Sequence, residues 1–282
     1  MFKENELKQQ KNTIVVTGRL KSKFLETRVA SNGSNFITGN FIVESKTGEN
    51  EVNQIRFDVM AFENQKNYNN IVALMNELND EKSSLSPEFV DKVRVIGSLE
   101  TNKYVNKNGE VVENNRFNAI SVYKSNTTQD AIDVAEVEMG VVINKVEKKE
   151  DGKLDLGFYN VGFRESINEV FMDIEIPEEF VSYVEKYEVG DETTLKFDIK
   201  NIAIVSERGG FGDTSTVVEG YKRALVLKGG LEPLRKVSND EMNRIQTLLK
   251  QENDKLEMEK QAFAPQQEVG GGFYPTDDDI PF

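Results

Sequence analysis

The order of strand-like segments around one short helix constrains this chain most. Residues 14 to 62 hold three such segments, "IVVTGRLKSKFLETRVA", "NFITGNFIVES" and "NQIRFDVMAF", each rich in β-branched and aromatic residues and divided by the turn-like "SNGS" and "KTGEN". "YNNIVALMNELN" then sets Ile71, Leu74, Met75 and Leu78 at helical spacing, which predicts a helix over 68–79. A strand pair follows, "DKVRVIGSLETNKYVN" and "EVVENNRFNAISVY", and its Asn108-Gly109 is a strong hairpin signal.

The same order recurs further on. "VAEVEMGVVINKVEKKEDGKLDLGFYNVG" reads as a long hairpin turning at Asp151-Gly152, and "NEVFMDIEIP" as a third strand. "PEEFVSYVEKY" is a short helix begun by Pro177, and "GDETTLKFDIKNIAIV" with "TVVEGYKRALVLKGG" closes the set. Three strands, a helix and two more strands is the order of a five-stranded Greek-key barrel of the OB type. The expected fold is therefore all-β with short helices: two tandem OB-fold barrels over 1–130 and 131–237. Ser238 and Glu241 form a capping box that opens a helix over 238–262, with Met242, Ile245, Leu248 and Leu249 as its apolar stripe. Residues 263–282, rich in Gly, Pro, Gln and Asp, cannot bury a core and read as a disordered linker and acidic tail.

Composition narrows the chemistry. The chain has no His, Cys or Trp, so the usual neutral-pH base, the thiolate nucleophile and the thiolate zinc site are all missing. A non-enzymatic protein without metal or cofactor is expected. No apolar stretch approaches membrane-spanning length and the start is polar, so a cytoplasmic protein that does not enter a membrane is expected. The net charge of -14 is unevenly placed: 0 over 1–130, -8 over 131–237 and -6 over 238–282. A polyanion would be held mainly by the first segment.

A surface that holds single strands without reading sequence needs cations along the phosphate path and flat rings for the bases. The first segment offers both: Arg19, Lys21, Lys23, Phe24 and Arg28 in strand 1, Phe36 in strand 2, and Arg56, Phe57 and Phe62 in strand 3. Lys103, Tyr104, Lys107, Arg116 and Phe117 add to these on the last hairpin. Each has a plainer role open to it, since alternating aromatics build barrel cores and strand cations are usually solvated. Tyr104 between Lys103 and Lys107 is poor core material. In the second segment Phe163, Arg164, Arg208 and Phe211 are auxiliary candidates, with "ERGGFGD" read as a hairpin loop because it lacks the Gly-Lys-Ser/Thr ending of a phosphate cradle.

The last residues, "DDDIPF", place Ile280, Pro281 and Phe282 after Asp277, Asp278 and Asp279, a pattern that suits a pocket with an apolar floor and a basic rim. This tip resembles that of the bacterial and phage single-stranded DNA-binding proteins, which join an OB fold to a Gly/Gln/Pro linker and an acidic tip ending in Ile-Pro-Phe. Gly97, Leu99, Thr101 and Tyr104 are similar to the Gly-x-Leu-x-Thr segment and following aromatic of that family's fourth and fifth strands. The resemblance implies a sequence-tolerant binder of single-stranded DNA in replication, recombination or repair that recruits other proteins through Asp277 to Phe282. The missing Trp residues leave stacking to Phe and Tyr. The extra barrel looks more like a phage version, active in an infected bacterial host, and suits a homodimer or a monomer in which tethering lets the second barrel raise effective concentration. An interaction scaffold with little DNA affinity and an RNA-preferring binder are the alternatives. A nuclease built on Asp277 to Asp279 is disfavoured, because two-metal chemistry requires fixed carboxylates.

Overall fold

The computed structural model describes residues 7–49, 51–128, 130–150, 152–209 and 214–263, with the backbone alone over 203–221. The first half contains β1 (Asn12–Val29), β2 (Asn35–Lys46), β3 (Val52–Phe62), α1 (Tyr68–Asn76), β4 (Lys92–Val105) and β5 (Val111–Lys124). β1 pairs with β2 and β4, β2 with β3, and β4 with β5, all antiparallel, while β3 meets β5 in parallel at Phe57 and Phe117. The five strands thus close in the order β1-β2-β3-β5-β4. Closure needs one strand to serve two neighbours: β1 follows β4 up to Arg19 and β2 from there on. At this switch Gly18 brings its backbone against β2, where a Cβ would stand 2.3 Å from the Glu44 carbonyl oxygen. Gly97 plays the same part at the β4–β5 bulge, facing the Asn118 carbonyl at 2.3 Å.

The second half repeats this circuit with one change. β6 (Ala135–Lys148) pairs with β7 (Leu154–Val161) and β10 (Asp191–Gly209), and β10 pairs with β11 (Thr214–Gly230), again antiparallel. The third strand, expected as one piece, is split into β8 (Ile167–Glu169), which pairs with β7, and β9 (Asp173–Glu175), which runs parallel to β11. α2 (Glu178–Val184) follows, with Pro177 as its N-cap rather than inside its first turn. β12 (Arg235–Lys236) leads to α3 (Asn239–Phe263), where Glu241 accepts from the Ser238 amide at 2.8 Å and the Ser238 hydroxyl accepts from the Glu241 amide at 3.2 Å. α1 stops at Asn76, short of the expected 79.

The halves are spliced, not strung on a linker. β1 pairs antiparallel with β6 from Asn12↔Met139 to Val16↔Ala135, so one sheet runs through both circuits. The core follows the sheet. Phe41 and Phe57 stack at 5.4 Å in the first half and Phe158 and Phe197 at 5.7 Å in the second, and buried Ile14, Val137 and Met139 join the two in one apolar cluster. Each such ring buries about 1.5–3 kcal/mol of side-chain transfer energy. Independent motion of two tethered barrels, the basis of the effective-concentration expectation, does not fit this joint.

The connecting segment is fastened as well. Lys92 and Asp133 form an ion pair at 2.9 Å with their side chains 2% and 4% exposed. Burial is tolerable because both partners gain further hydrogen bonds: Lys92 donates to the Thr128 and Ala131 carbonyls, and Asp133 accepts from the Thr17 hydroxyl and the Lys46 amide.

Candidate nucleic-acid interface

Strand periodicity decides which of the proposed residues can meet a ligand. On β3 the odd-numbered Ile55, Phe57, Val59 and Ala61 face the core, which turns Arg56, Asp58, Met60 and Phe62 outward. β2 matches it, so the outer face carries the registered pairs Phe36↔Phe62, Thr38↔Met60, Asn40↔Asp58 and Ile42↔Arg56. β5 extends this face with Arg116, Asn118 and Ile120. A groove of about 2220 Å³ runs over this floor. One wall is the Asn64–Asn70 segment leading into α1, and the other is built by the Gly162–Asn168 turn of the second half with Leu248, Gln251 and Lys255 of α3.

Phe36 and Phe62 stack on each other at 5.2 Å with an interplanar angle of 27°, half-buried, one register step past Thr38 and Met60 on the same face. Met60, Ile120 and Tyr123 are about half exposed and line the groove itself. Its charges balance. Arg56, Lys66, Arg116 and Lys255 face Asp58, Glu100, Glu165 and Glu252. Arg56 lies 3.4 Å from Asp58 and Arg116 3.7 Å from Glu100.

The structure therefore brings Arg56, Arg116, Phe36, Phe62 and Phe163 to one surface or its margin. Phe163, 67% exposed, reaches the groove from the second half, with the Arg164 guanidinium 5.1 Å from its ring. Arg164 and Glu165 both sit at positive φ, 54° and 58°, an uncommon conformation for residues with side chains that turns the chain sharply beside the groove. Glu165 is held there by the Leu7 amide at 2.9 Å and by Arg244 at 2.7 Å.

Several candidates lie elsewhere, for physical reasons. Phe57 is fully buried and Phe117 is 8% exposed, tilted against each other at 6.0 Å, so neither presents a ring to a base. Lys23 turns inward and donates to the Leu74 and Met75 carbonyls at 3.1 and 2.8 Å and to that of Leu78, satisfying the open end of α1. Burial holds its ammonium below the usual range, against the pull of Asp80 and Asp91. Lys103, its side chain 3% exposed, is enclosed by Glu169, Glu113 and Glu252. Burial alone would lower its pKa, but the Glu169 hydrogen bond and the carboxylates of Glu169, Glu252 and Glu113 outweigh it and raise the value.

Arg19 donates to the Pro87 carbonyl at 3.2 Å, Lys21 pairs with Glu44 at 2.8 Å, and Arg28 pairs with Glu26. Phe24 is 53% exposed under the Lys82 ammonium at 4.4 Å. Tyr104, 44% exposed, and Lys107 are on the β4–β5 hairpin and do not line the groove. The Arg208 side chain, Phe211 and Asp277 to Phe282 lie outside the described residues.

The base of that hairpin joins the two halves. Thr101 donates through its hydroxyl to the Glu169 carbonyl at 3.1 Å and accepts from the Glu169 amide at 2.6 Å, while Asn115 donates to the same carbonyl at 2.7 Å and accepts from the Phe171 amide at 2.6 Å. Asn160, fully buried, donates to the Lys11 and Gly140 carbonyls and accepts from Asn12 and Asn168. Met60, Ile120, Tyr123 and the amides of the floor escaped the sequence reading. Alternation about Phe57 was the signal that could have found Met60.

Among solved structures, the wild-type single-stranded DNA binding protein from Thermus aquaticus aligns over 82% of this chain and 97% of its own at 11% identity and a TM-score of 0.49. The small single-stranded DNA-binding protein from Streptomyces coelicolor aligns over 40% of this chain and 94% of its own at 17% identity and a TM-score of 0.27. Likeness at these scores carries no argument about function. No curated protein matches the sequence. The family model described as YorF matches residues 10–262, and on that match the chain belongs to the YorF family.

Proposed function

We propose that this protein binds single-stranded DNA along the groove of its first half, without catalysis, and that both circuits are OB barrels. The observation that carries the reading is the outer face of β2, β3 and β5. It sets the exposed Met60 and Ile120 and the cations Arg56 and Arg116 on one continuous floor, with the stacked Phe36 and Phe62 on the same sheet face at its margin. Rings and flat apolar groups take unstacked bases, which a duplex keeps inside. The balanced charge points the same way: a groove with as many carboxylates as cations gains little from phosphates alone.

Phe163 extends the path onto the second half, and Tyr104 and Lys107 lie on a second, outlying route along the hairpin. The acidic segment Asp277 to Phe282 recruits replication, recombination or repair proteins to the coated strand, and the chain acts as a monomer or homodimer.

Anisotropy titration of a labelled oligo-dT at low salt tests the central claim. Binding that is markedly tighter than to a duplex of equal length is expected, and no binding, or equal binding to duplex, overturns it. Removing residues 277–282 is expected to abolish capture of the recruited protein while leaving oligo-dT affinity within about threefold, since any gain from less like-charge repulsion is screened. Capture that survives the deletion overturns the recruitment role.

A further inference from the structure

The groove floor contains one row of a different character from the rings and arginines. Registered residues on four neighbouring strands, Asn40 on β2, Asp58 on β3, Asn118 on β5 and Ser98 on β4, stand side by side across the floor and all line the groove. Among the described residues the side-chain amides of Asn40 and Asn118 have no hydrogen-bond partner, and the Asp58 carboxylate accepts no hydrogen bond, its one charged neighbour being Arg56 at 3.4 Å. The Ser98 hydroxyl is turned to Glu100 at 3.0 Å. Two amides without partners and a carboxylate that accepts no hydrogen bond thus line the space where the strand would lie.

A carboxylate in the middle of such a floor repels phosphate. It attracts a base edge that carries an amine, as a carboxylate accepts from the N4 amine of cytosine. Taking the groove as the strand site, we propose that the row Asn40, Asp58 and Asn118 reads base edges. Asp58 accepts from the exocyclic amine of cytosine, and the row discriminates against pyrimidines that present a carbonyl at that position. Binding is then tolerant of sequence through its stacking contacts, yet biased in composition at this one row.

Oligo-dC and oligo-dU of equal length make the comparison, because both are pyrimidines and neither carries the thymine methyl. The wild-type chain is expected to bind oligo-dC roughly tenfold tighter at fixed salt, the discrimination of one good base contact. Asp58→Asn, at an outward and part-exposed position, should leave the unfolding midpoint in place, tighten oligo-dU and bring the ratio within about twofold. Asn118→Ala should reduce the ratio part of the way.

Equal wild-type affinities overturn the proposal. So does an Asp58→Asn protein that binds both oligomers more tightly with the ratio unchanged, since that is the behaviour of a carboxylate that merely repels phosphate. Failure of the wild type to bind either oligomer overturns the groove reading itself, which is a different result.

Discussion

In the first half the third strand, β3, runs unbroken for 11 residues and keeps its outer face open to the groove. In the second half the corresponding stretch is two pieces of 3 residues each, β8 and β9, and the backbone at the break is bound by Thr101 and Asn115 of the first half. The order of pairing is the same in both, so the difference lies in what the third strand does for its neighbours. An intact strand keeps one face open to a groove; a broken one offers backbone groups to the other half. Repetition of a strand order along a chain therefore does not imply repetition of a site.

The comparison breaks most directly at Asn160, the buried hub of the junction. Asn160→Ala takes a hydrogen bond from each of the Lys11 and Gly140 carbonyls and the amides of Asn12 and Asn168, though the Gly140 amide still reaches the Lys11 carbonyl and the Leu99 carbonyl still accepts from Asn12, and a loss of about 3 kcal/mol in urea unfolding is expected. One cooperative transition in the wild type, becoming two in the variant, is the accompanying sign that the splice makes the halves a unit.

Lys103→Met tests the same junction by pH. The raised Lys103 pKa means that its contribution is fully present below the unfolded value of 10.5 and is lost as pH rises through the higher folded value. The variant should be less stable than wild type by about 2 kcal/mol at neutral pH, because three carboxylates lose their cation, and the gap should close as pH climbs past 10.5. A gap that stays constant into alkali would remove the ion pairs from the account.

Three smaller effects sharpen the contrast between the faces. Phe62→Ala removes one ring at the margin of the floor and should weaken oligo-dT binding by about 1 kcal/mol, roughly fivefold. Phe163→Ala, on the contribution of the second half, should cost less, about threefold or under. Tyr104→Ala, away from the groove, should change oligo-dT affinity least, within about twofold. A reversal of Phe62 and Tyr104 in that series would move the main path from the strand face to the hairpin.

The strand order was legible because turn residues and β-branched runs act locally, and so was the capping box of Ser238 and Glu241. Period-two alternation was equally local, and it shows that Arg56 and Phe57 cannot share a surface. The inward turns of Lys23 and Lys103 were not legible. Their partners, the α1 carbonyls in one case and Glu169 and Glu252 in the other, lie far along the chain, and an isolated strand lysine looks the same whether it meets water or a helix end. The break at Phe171 had no local signal either, since "NEVFMDIEIP" has the composition of a continuous strand and the groups that occupy the gap come from the other half.

The β1–β6 ladder has a mechanical meaning. On the proposed path across the floor of the first half to Phe163 on the second, a bound strand is held by both, and tension on it acts on the joint between them. At that joint the load falls on five registered residue pairs, the asparagine cluster and the Thr101 and Asn115 bonds together, not on a length of slack chain. The protein would grip its ligand as a single jaw cut from one sheet, stiff where two beads on a string would yield.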